Sequence, residues 1–251
     1  MTKIKISAVS YTNTFPFIYG IEKNHIIDKI ELSKDIPSVC AQKLLDNTVD
    51  IGLVPVAIIP ELAYYEIVAD YCIGASDKVR SVILAANQPL DKIEKIYLDY
   101  QSRSSVMLSR ILAKNFWKID VEWADTSEGF IEKIKDKEAA VIIGDRALES
   151  ETKFPFVYDL AEEWIKYTGL PFVFAAWVAN KPIDERFKTE FNLALKSGLN
   201  HIDDMLEKYD VSYLPGHIDA KEYLINNIDF NLDDKKQKGM QLFLKLANDF
   251  K

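Results

Sequence analysis

Several short polar clusters carry the residue types from which a small-molecule site is built. Ser10-Tyr11-Thr12-Asn13-Thr14 follows an apolar alternation near the start of the chain, and Asn13 offers an amide that both donates and accepts. Ser102-Arg103-Ser104-Ser105 precedes the helical period Val106, Leu108, Ile111, Leu112. Free N–H groups and the positive end of the dipole make such a helix opening an anion site, worth about 0.3–1 kcal/mol in dipole terms. Ser102 is equally suited to cap that helix. Arg103 could clamp a carboxylate with two hydrogen bonds or bridge to Asp99. Gly144-Asp145-Arg146 ends an apolar run, and Asp145 is either a site carboxylate or a helix cap paired with Arg146. In Lys78-Val79-Arg80-Ser81-Val82-Ile83-Leu84, alternation sets Arg80 and Val82 on one face and Ser81 and Ile83 on the other. Ser81 is then an inward hydroxyl, either a ligand contact or a satisfied core group. Thr168 and Gly169 are the polar positions that enter the apolar run Leu170 to Trp177. These clusters hold hydroxyls and amides more than acids, a set suited to gripping an anion.

The rest of the composition narrows the class. The 251 residues are 48% hydrophobic and 28% charged, an ordinary globular composition for one large domain or two lobes. A net charge of -8 argues against nucleic acid, which selects clustered lysine and arginine. It also requires an anionic ligand to be held by local groups. Cys40 and Cys72 form no metal or redox spacing, and His25, His201 and His217 are scattered, so no metal site is expected. The opening Met1-Thr2-Lys3-Ile4-Lys5-Ile6-Ser7 reads as a strand without the layout of a secretory signal, and no apolar run is long enough to span a bilayer. A cytoplasmic protein, a monomer or homodimer with a small-molecule partner, is the expectation.

Elements then follow from period and punctuation. Strands are expected over Lys3–Val9, Ile30–Ser33, Asp50–Pro55, Ile96–Asp99, Val121–Trp123 and Ala140–Asp145, with Lys78–Leu84 entering another. Pro16 opens a helix, and Asp35-Ile36-Pro37-Ser38 opens a second one that runs through Val39, Leu44 and Leu45. Further helices are expected over Ser127–Lys135, Glu185–Tyr209, Ala220–Asn226 and Asp233–Phe250, where Lys235-Lys236-Gln237-Lys238 reads as a solvated face. The second half of this plan repeats the first. Asn/Pro turns at Asn87-Gln88-Pro89-Leu90 and Asn180-Lys181-Pro182 divide it into lobe one, residues 1–87 plus 180–251, and lobe two, residues 88–179. A chain that leaves a lobe and returns is the plan of a two-lobed α/β solute-binding fold with its site in the central cleft and its late helices on lobe one.

Three segments also carry a resemblance. Ser10-Tyr11-Thr12-Asn13-Thr14-Phe15-Pro16, Leu98-Asp99-Tyr100-Gln101-Ser102-Arg103-Ser104-Ser105 and Thr168-Gly169-Leu170-Pro171-Phe172 through Trp177 resemble the menaquinone-biosynthesis family of the futalosine route, on its chorismate dehydratase branch. Pro37-Ser38 with Ala41 and Leu44, Ser81-Val82, Gly144 to Leu148, and Asp159-Leu160 with Trp164 extend it over most of the first 180 residues. The resemblance implies a bilobal type II periplasmic-binding-protein-like fold. It also implies loss of water from chorismate, without a cofactor, to give 3-[(1-carboxyvinyl)oxy]benzoate. Asn13 and Ser81 are then the expected catalytic pair. Ser10, Tyr11, Ser38, Ser102, Arg103, Ser104, Ser105, Gly144, Asp145, Thr168 and Gly169 are the expected substrate contacts. Ser104-Ser105 stands where Thr-Ser is usual, and Cys40 replaces a small or aliphatic residue. The sister branch makes 1,4-dihydroxy-6-naphthoate with a histidine base, and this chain has no histidine between His25 and His201. Asp145 or the substrate's own carboxylate would remove the ring proton, and the scarcity of acids in the loops favours the latter. A non-catalytic anion binder or sensor of the same fold is the alternative from another class.

Overall fold

The computed structural model describes residues 3–250; Met1 and Thr2, at the head of the expected first strand, lie outside the described residues. Apolar alternation and proline-opened helices set the first unit: β1 (Ile4–Val9), α1 (Phe15–Lys23), β2 (Ile30–Asp35), α2 (Pro37–Leu45) and β3 (Ile51–Pro55). Pro16 and Pro37 sit in the first turns of α1 and α2, where their fixed φ suits the helix and no donor is lost. β4 (Glu66–Ala75) and β5 (Val82–Ala86) follow. The second unit is β6 (Lys95–Leu98), α3 (Ser104–Leu112), β7 (Glu122–Asp125), β8 (Glu138–Ile143), α4 (Asp145–Ser150), β9 (Phe156–Asp159) and α5 (Leu160–Thr168). β10 (Phe172–Ala179), α6 (Glu185–Leu199), α7 (Ile202–Lys208), α8 (Ala220–Glu222), β11 (Asp229–Asn231) and α9 (Asp234–Ala247) complete the chain.

The strands form two sheets, ordered β11-β4-β10-β3-β1-β2 and β7-β6-β8-β5-β9. The repeat seen in the sequence is a repeat of topology. In each sheet one strand pairs in parallel with two neighbours, β1 with β2 and β3, and β6 with β7 and β8. A strand arriving from elsewhere then adds antiparallel, β10 beside β3 and β5 beside β8. This pairing moves both lobe boundaries. β5 pairs with β8 and β9, so the chain leaves lobe one before Val82 and not at 87/88. β10 pairs with β3 and β4, so it returns before Phe172 and not at 179/180. Asn/Pro turns mark surface bends, but hydrogen-bonded partners decide which sheet owns a strand.

The late helices pack on the first sheet. α1 and α6 cross where Gly20 faces Gly198, and a Cβ on either would collide with the backbone of the other helix. Five expectations change. Lys236, expected on a solvated face, is fully buried and paired with Asp229 and Asp233. The helix over Ser127–Lys135 is only one turn at Ile131–Lys133, with Gly129 at φ 77° just before it. Glu185–Tyr209 breaks at Asn200–His201 into α6 and α7. Ala220–Asn226 is α8 followed by a π turn at Tyr223–Asn227. β5 starts at Val82, after Arg80 has taken a left-handed φ of 60°, so strict alternation does not reach back to Arg80 and Ser81. Among the described residues no helix is long and apolar enough to cross a membrane.

Candidate active site

The two sheets point loops at one another. Past the end of β1, the chain turns through Tyr11 into a 3-10 turn, Thr12–Thr14, and Asn13 is held there almost fully buried. On the opposite lobe, Asp99 organises the loop between β6 and α3. Its buried carboxylate accepts from the N–H groups of Gln101 and Ile143, both at 3.0 Å, and from Arg146 Nη2 at 2.9 Å. That anchor presents Ser102, Ser104 and Ser105 at the start of α3. Ser102 Oγ accepts from the Ser105 N–H at 3.1 Å, as a cap does.

Between the lobes lies a cleft lined by Tyr11, Asn13, Ser81, Ser102, Ser104, Ser105 and Gly144, with apolar walls from Val9, Pro37, Pro55, Ile73, Val79, Val82, Ile143, Phe174 and Ala175. It holds about 490 Å³ of empty space, open solvent at its mouth included. The lobes touch across it. Tyr11 Oη donates to Gln101 Oε1, the Ser38 N–H donates to the Gln101 carbonyl at 3.1 Å, and the Ala57 N–H donates to Ser104 Oγ at 3.2 Å. The Thr12 N–H reaches the Asp145 carboxylate at 3.3 Å, and Tyr213 Oη lies 2.6 Å from Thr12 Oγ1 and 3.4 Å from Asp145.

Seven expected positions thus meet in one place, and six do not line it. Ser10 is exposed, and its N–H is bound to the Asp35 carbonyl at 2.9 Å. Ser38 lies behind Pro37 and joins the lobes through its backbone. Arg103 is exposed, and the partner of Asp99 is Arg146 instead. Asp145 is neither cap nor wall: Gly144 holds the cap position, and the carboxylate faces Thr12 and Tyr213 as a link between lobes. Thr168 and Gly169 close α5. Thr168 Oγ1 donates to the Trp164 carbonyl at 2.8 Å, and Gly169 takes the left-handed conformation that ends a helix. Thr12 and Gln101 stand within the polar segments without having been expected as contacts, and Tyr213 and the wall residue Phe174 are site elements that local sequence does not flag.

No Asp, Glu, Lys, Arg or His lines the cleft among the described residues. Burial pushes the Tyr11 phenol far above its usual pKa, against the opposing pull of Arg146, so Tyr11 is a neutral donor. Burial also raises the carboxyls of Asp99 and Asp145. Among the described residues no cluster of acidic, histidine and cysteine side chains is arranged to hold a metal. All three histidines lie off the cleft; His201 Nδ1 meets the Ser197 carbonyl and His217 meets Glu151. Such a cleft can bind an anion through neutral hydroxyl, amide and helix-opening N–H donors and can stabilise charge that develops on it. It supplies no side-chain base.

Two sheets, two crossings and a donor-lined cleft define a periplasmic-binding-protein-like fold. Solved structures agree on the fold. A protein of Archaeoglobus fulgidus superposes with a TM-score of 0.79 at 14% identity, covering 99% of this chain and 97% of that one. The periplasmic aliphatic sulphonate binding protein of Escherichia coli gives a TM-score of 0.58 at 14% identity, covering 100% and 87%. The chain belongs to the menaquinone biosynthesis family, which it matches over residues 4–249. A relative, the chorismate dehydratase of Thermus thermophilus, is 24% identical over 193 residues, 69% of this chain and 70% of that protein.

Proposed function

We propose that this protein eliminates water from chorismate to give 3-[(1-carboxyvinyl)oxy]benzoate, acting as a hydro-lyase without a cofactor. Chorismate carries two carboxylates, a hydroxyl at C4 and a hydrogen at C3. Removing the C3 proton while the C4–O bond breaks forms the C3=C4 double bond and releases one water. The ring becomes aromatic, so the reaction runs downhill. The C3 hydrogen is conjugated through the ring diene to the ring carboxylate, and donors on that carboxylate stabilise charge arriving there. Asn13, Ser81 and the opening of α3 at Ser104 and Ser105 are the donors in reach of a ligand in the cleft.

The observation that carries this reading is the absence of any acid, lysine, arginine or histidine among the described cleft residues. A proton abstraction in such a site needs a base that arrives with the substrate. The enolpyruvyl carboxylate of chorismate hangs from C3 and can take the neighbouring proton, while the cleft holds the geometry. The same observation counts against the naphthoate branch, which relies on a histidine.

Incubating purified protein with chorismate, followed by absorbance and chromatography, tests the reading. Stoichiometric appearance of the benzoate is the expected result. A rise in melting temperature with chorismate but no product would instead identify a binder or sensor.

A further inference from the structure

The turn that carries Asn13 has little of its own to hold it. Thr12–Thr14 is a single 3-10 turn without a side-chain cap, closed by the Thr14 N–H on the Tyr11 carbonyl at 2.9 Å and the Phe15 N–H on the Thr12 carbonyl. Hydrogen bonds of a 3-10 turn are poorer in geometry than those of an α-helix. Its first residue is gripped from outside instead. Thr12 is fully buried, its N–H reaches the Asp145 carboxylate of lobe two at 3.3 Å, and its Oγ1 lies 2.6 Å from Tyr213 Oη. Tyr213 Oη also donates to Asp145 Oδ2 at 3.4 Å, so Thr12, Asp145 and Tyr213 close a triangle beside Asn13. Tyr213 comes from the connection between α7 and α8. That connection is tied to lobe one at its start, where the Tyr209 ring stacks on Phe15 at 5.1 Å and its hydroxyl donates to Glu22 at 2.6 Å. It reaches lobe two near its end, where His217 Nε2 lies 3.2 Å from Glu151 Oε1. Its Leu214 and Ile218 are buried, but Tyr213 is 53% exposed. A ring left in solvent gains little from burial, so packing does not account for its position and the contacts of its hydroxyl do.

We propose that Tyr213 is a positioning residue for the dehydration: its hydroxyl fixes Thr12 against Asp145 where the lobes meet, and so sets the Asn13 carboxamide toward a ligand in the cleft. The inference rests on the function proposed above. Tyr213 does not line the cleft, so it acts through Thr12 and not on the ligand. With its proton given to Asp145, Tyr213 Oη accepts from Thr12 Oγ1, and one hydroxyl ties together a residue of each lobe. Partial burial pushes its pKa up to about 12, so the donor keeps its proton at neutral pH. Thr12 directly precedes Asn13, and a displacement of about 1 Å in a catalytic group can cost about 100-fold in rate.

Tyr213→Phe removes one oxygen from an exposed ring, so the melting temperature should stay within about 2 °C of wild type. The expected result is a fall in kcat of about 10- to 100-fold with KM changed by less than about threefold. The amides of Thr12 and Thr14 should exchange with solvent about fivefold faster or more. Thr12→Val removes the partner oxygen and should reproduce the loss in kcat. Adding Tyr213→Phe to it should change kcat by less than about twofold, because the contact is already gone. Wild-type kcat in Tyr213→Phe, a loss carried in KM alone, or the same further loss on the Thr12→Val background overturns the inference. So does unchanged exchange at Thr12 and Thr14, or a melting temperature lowered by several degrees, which would make the hydroxyl a bond of the fold. The exchange and melting arms need no substrate. Failure of the wild-type protein to consume chorismate overturns the reading of the reaction instead, and the exchange rates still decide whether Tyr213 holds the turn.

Discussion

The ring of Tyr11 covers Gly144 so closely that a Cβ there would stand 2.6 Å from Tyr11 Cε2. Gly144 also holds a φ of 68°, which glycine adopts without strain. The contact joins the loop after β1 to the end of β8 and so forms only when the lobes meet. Gly144→Ala should therefore hold the cleft ajar. Chorismate affinity by calorimetric titration should fall about tenfold or more, beyond a strain cost of about 1–3 kcal/mol in the fold. Removing the ring with Tyr11→Ala in that background should restore part of the affinity.

Asn13 carries the only side-chain amide among the described residues lining the cleft. Its Oδ1 accepts from Thr14 Oγ1 at 3.2 Å, which orients the amide edge. Asn13→Ala should lower kcat by about 100-fold or more if the amide serves developing charge, with an unchanged circular dichroism spectrum. Near-normal turnover would remove Asn13 from the mechanism.

Asp145 offers a test of the missing base. Its carboxyl faces Thr12 and Tyr213, and burial holds its pKa above the ordinary 3.8. The folded protein thus binds this proton more tightly than the unfolded chain does. The cost of burying the charge is complete above the raised folded value and disappears as pH falls through it toward 3.8. Asp145→Asn should match or exceed the wild-type melting temperature at neutral pH, and the gap should close across that acidic window. Its turnover should stay within about threefold of wild type, whereas loss of a general base costs about 100- to 10,000-fold.

Asp99 holds the serine-bearing loop. Its side chain is 0% exposed and serves Arg146 and two backbone donors. Asp99→Ala strands those groups, and breaking a buried pair of this kind costs about 3–5 kcal/mol. The melting temperature should drop sharply, and the amides of Gln101 to Ser105 should lose protection against hydrogen exchange before the rest of lobe two does.

The legible parts of this fold are those with local causes. Pro16 and Pro37 open helices by their fixed φ, and Ser102 to Ser105 announce α3 because serines precede a clean helical period. The limits have physical reasons too. Thr168 and Gly169 border the apolar run that becomes β10, yet a left-handed glycine there closes α5, and neither residue lines the cleft. Asp145 reads as a cap because acids suit first turns; only the meeting of two lobes sets it against Thr12. Tyr213 sits among late helices with no local signal, since Thr12, which it meets at 2.6 Å, lies 201 residues earlier. The crossing points follow from strand pairing at long range, which turn residues do not encode.

Chorismate and its monoester at the enolpyruvyl carboxylate, incubated side by side with the purified protein, test the central claim most directly. Chorismate should convert fully to 3-[(1-carboxyvinyl)oxy]benzoate, while the ester binds and keeps its C4 hydroxyl, because the cleft has no base of its own. Conversion of the ester at a comparable rate, or chorismate left intact, would contradict the account.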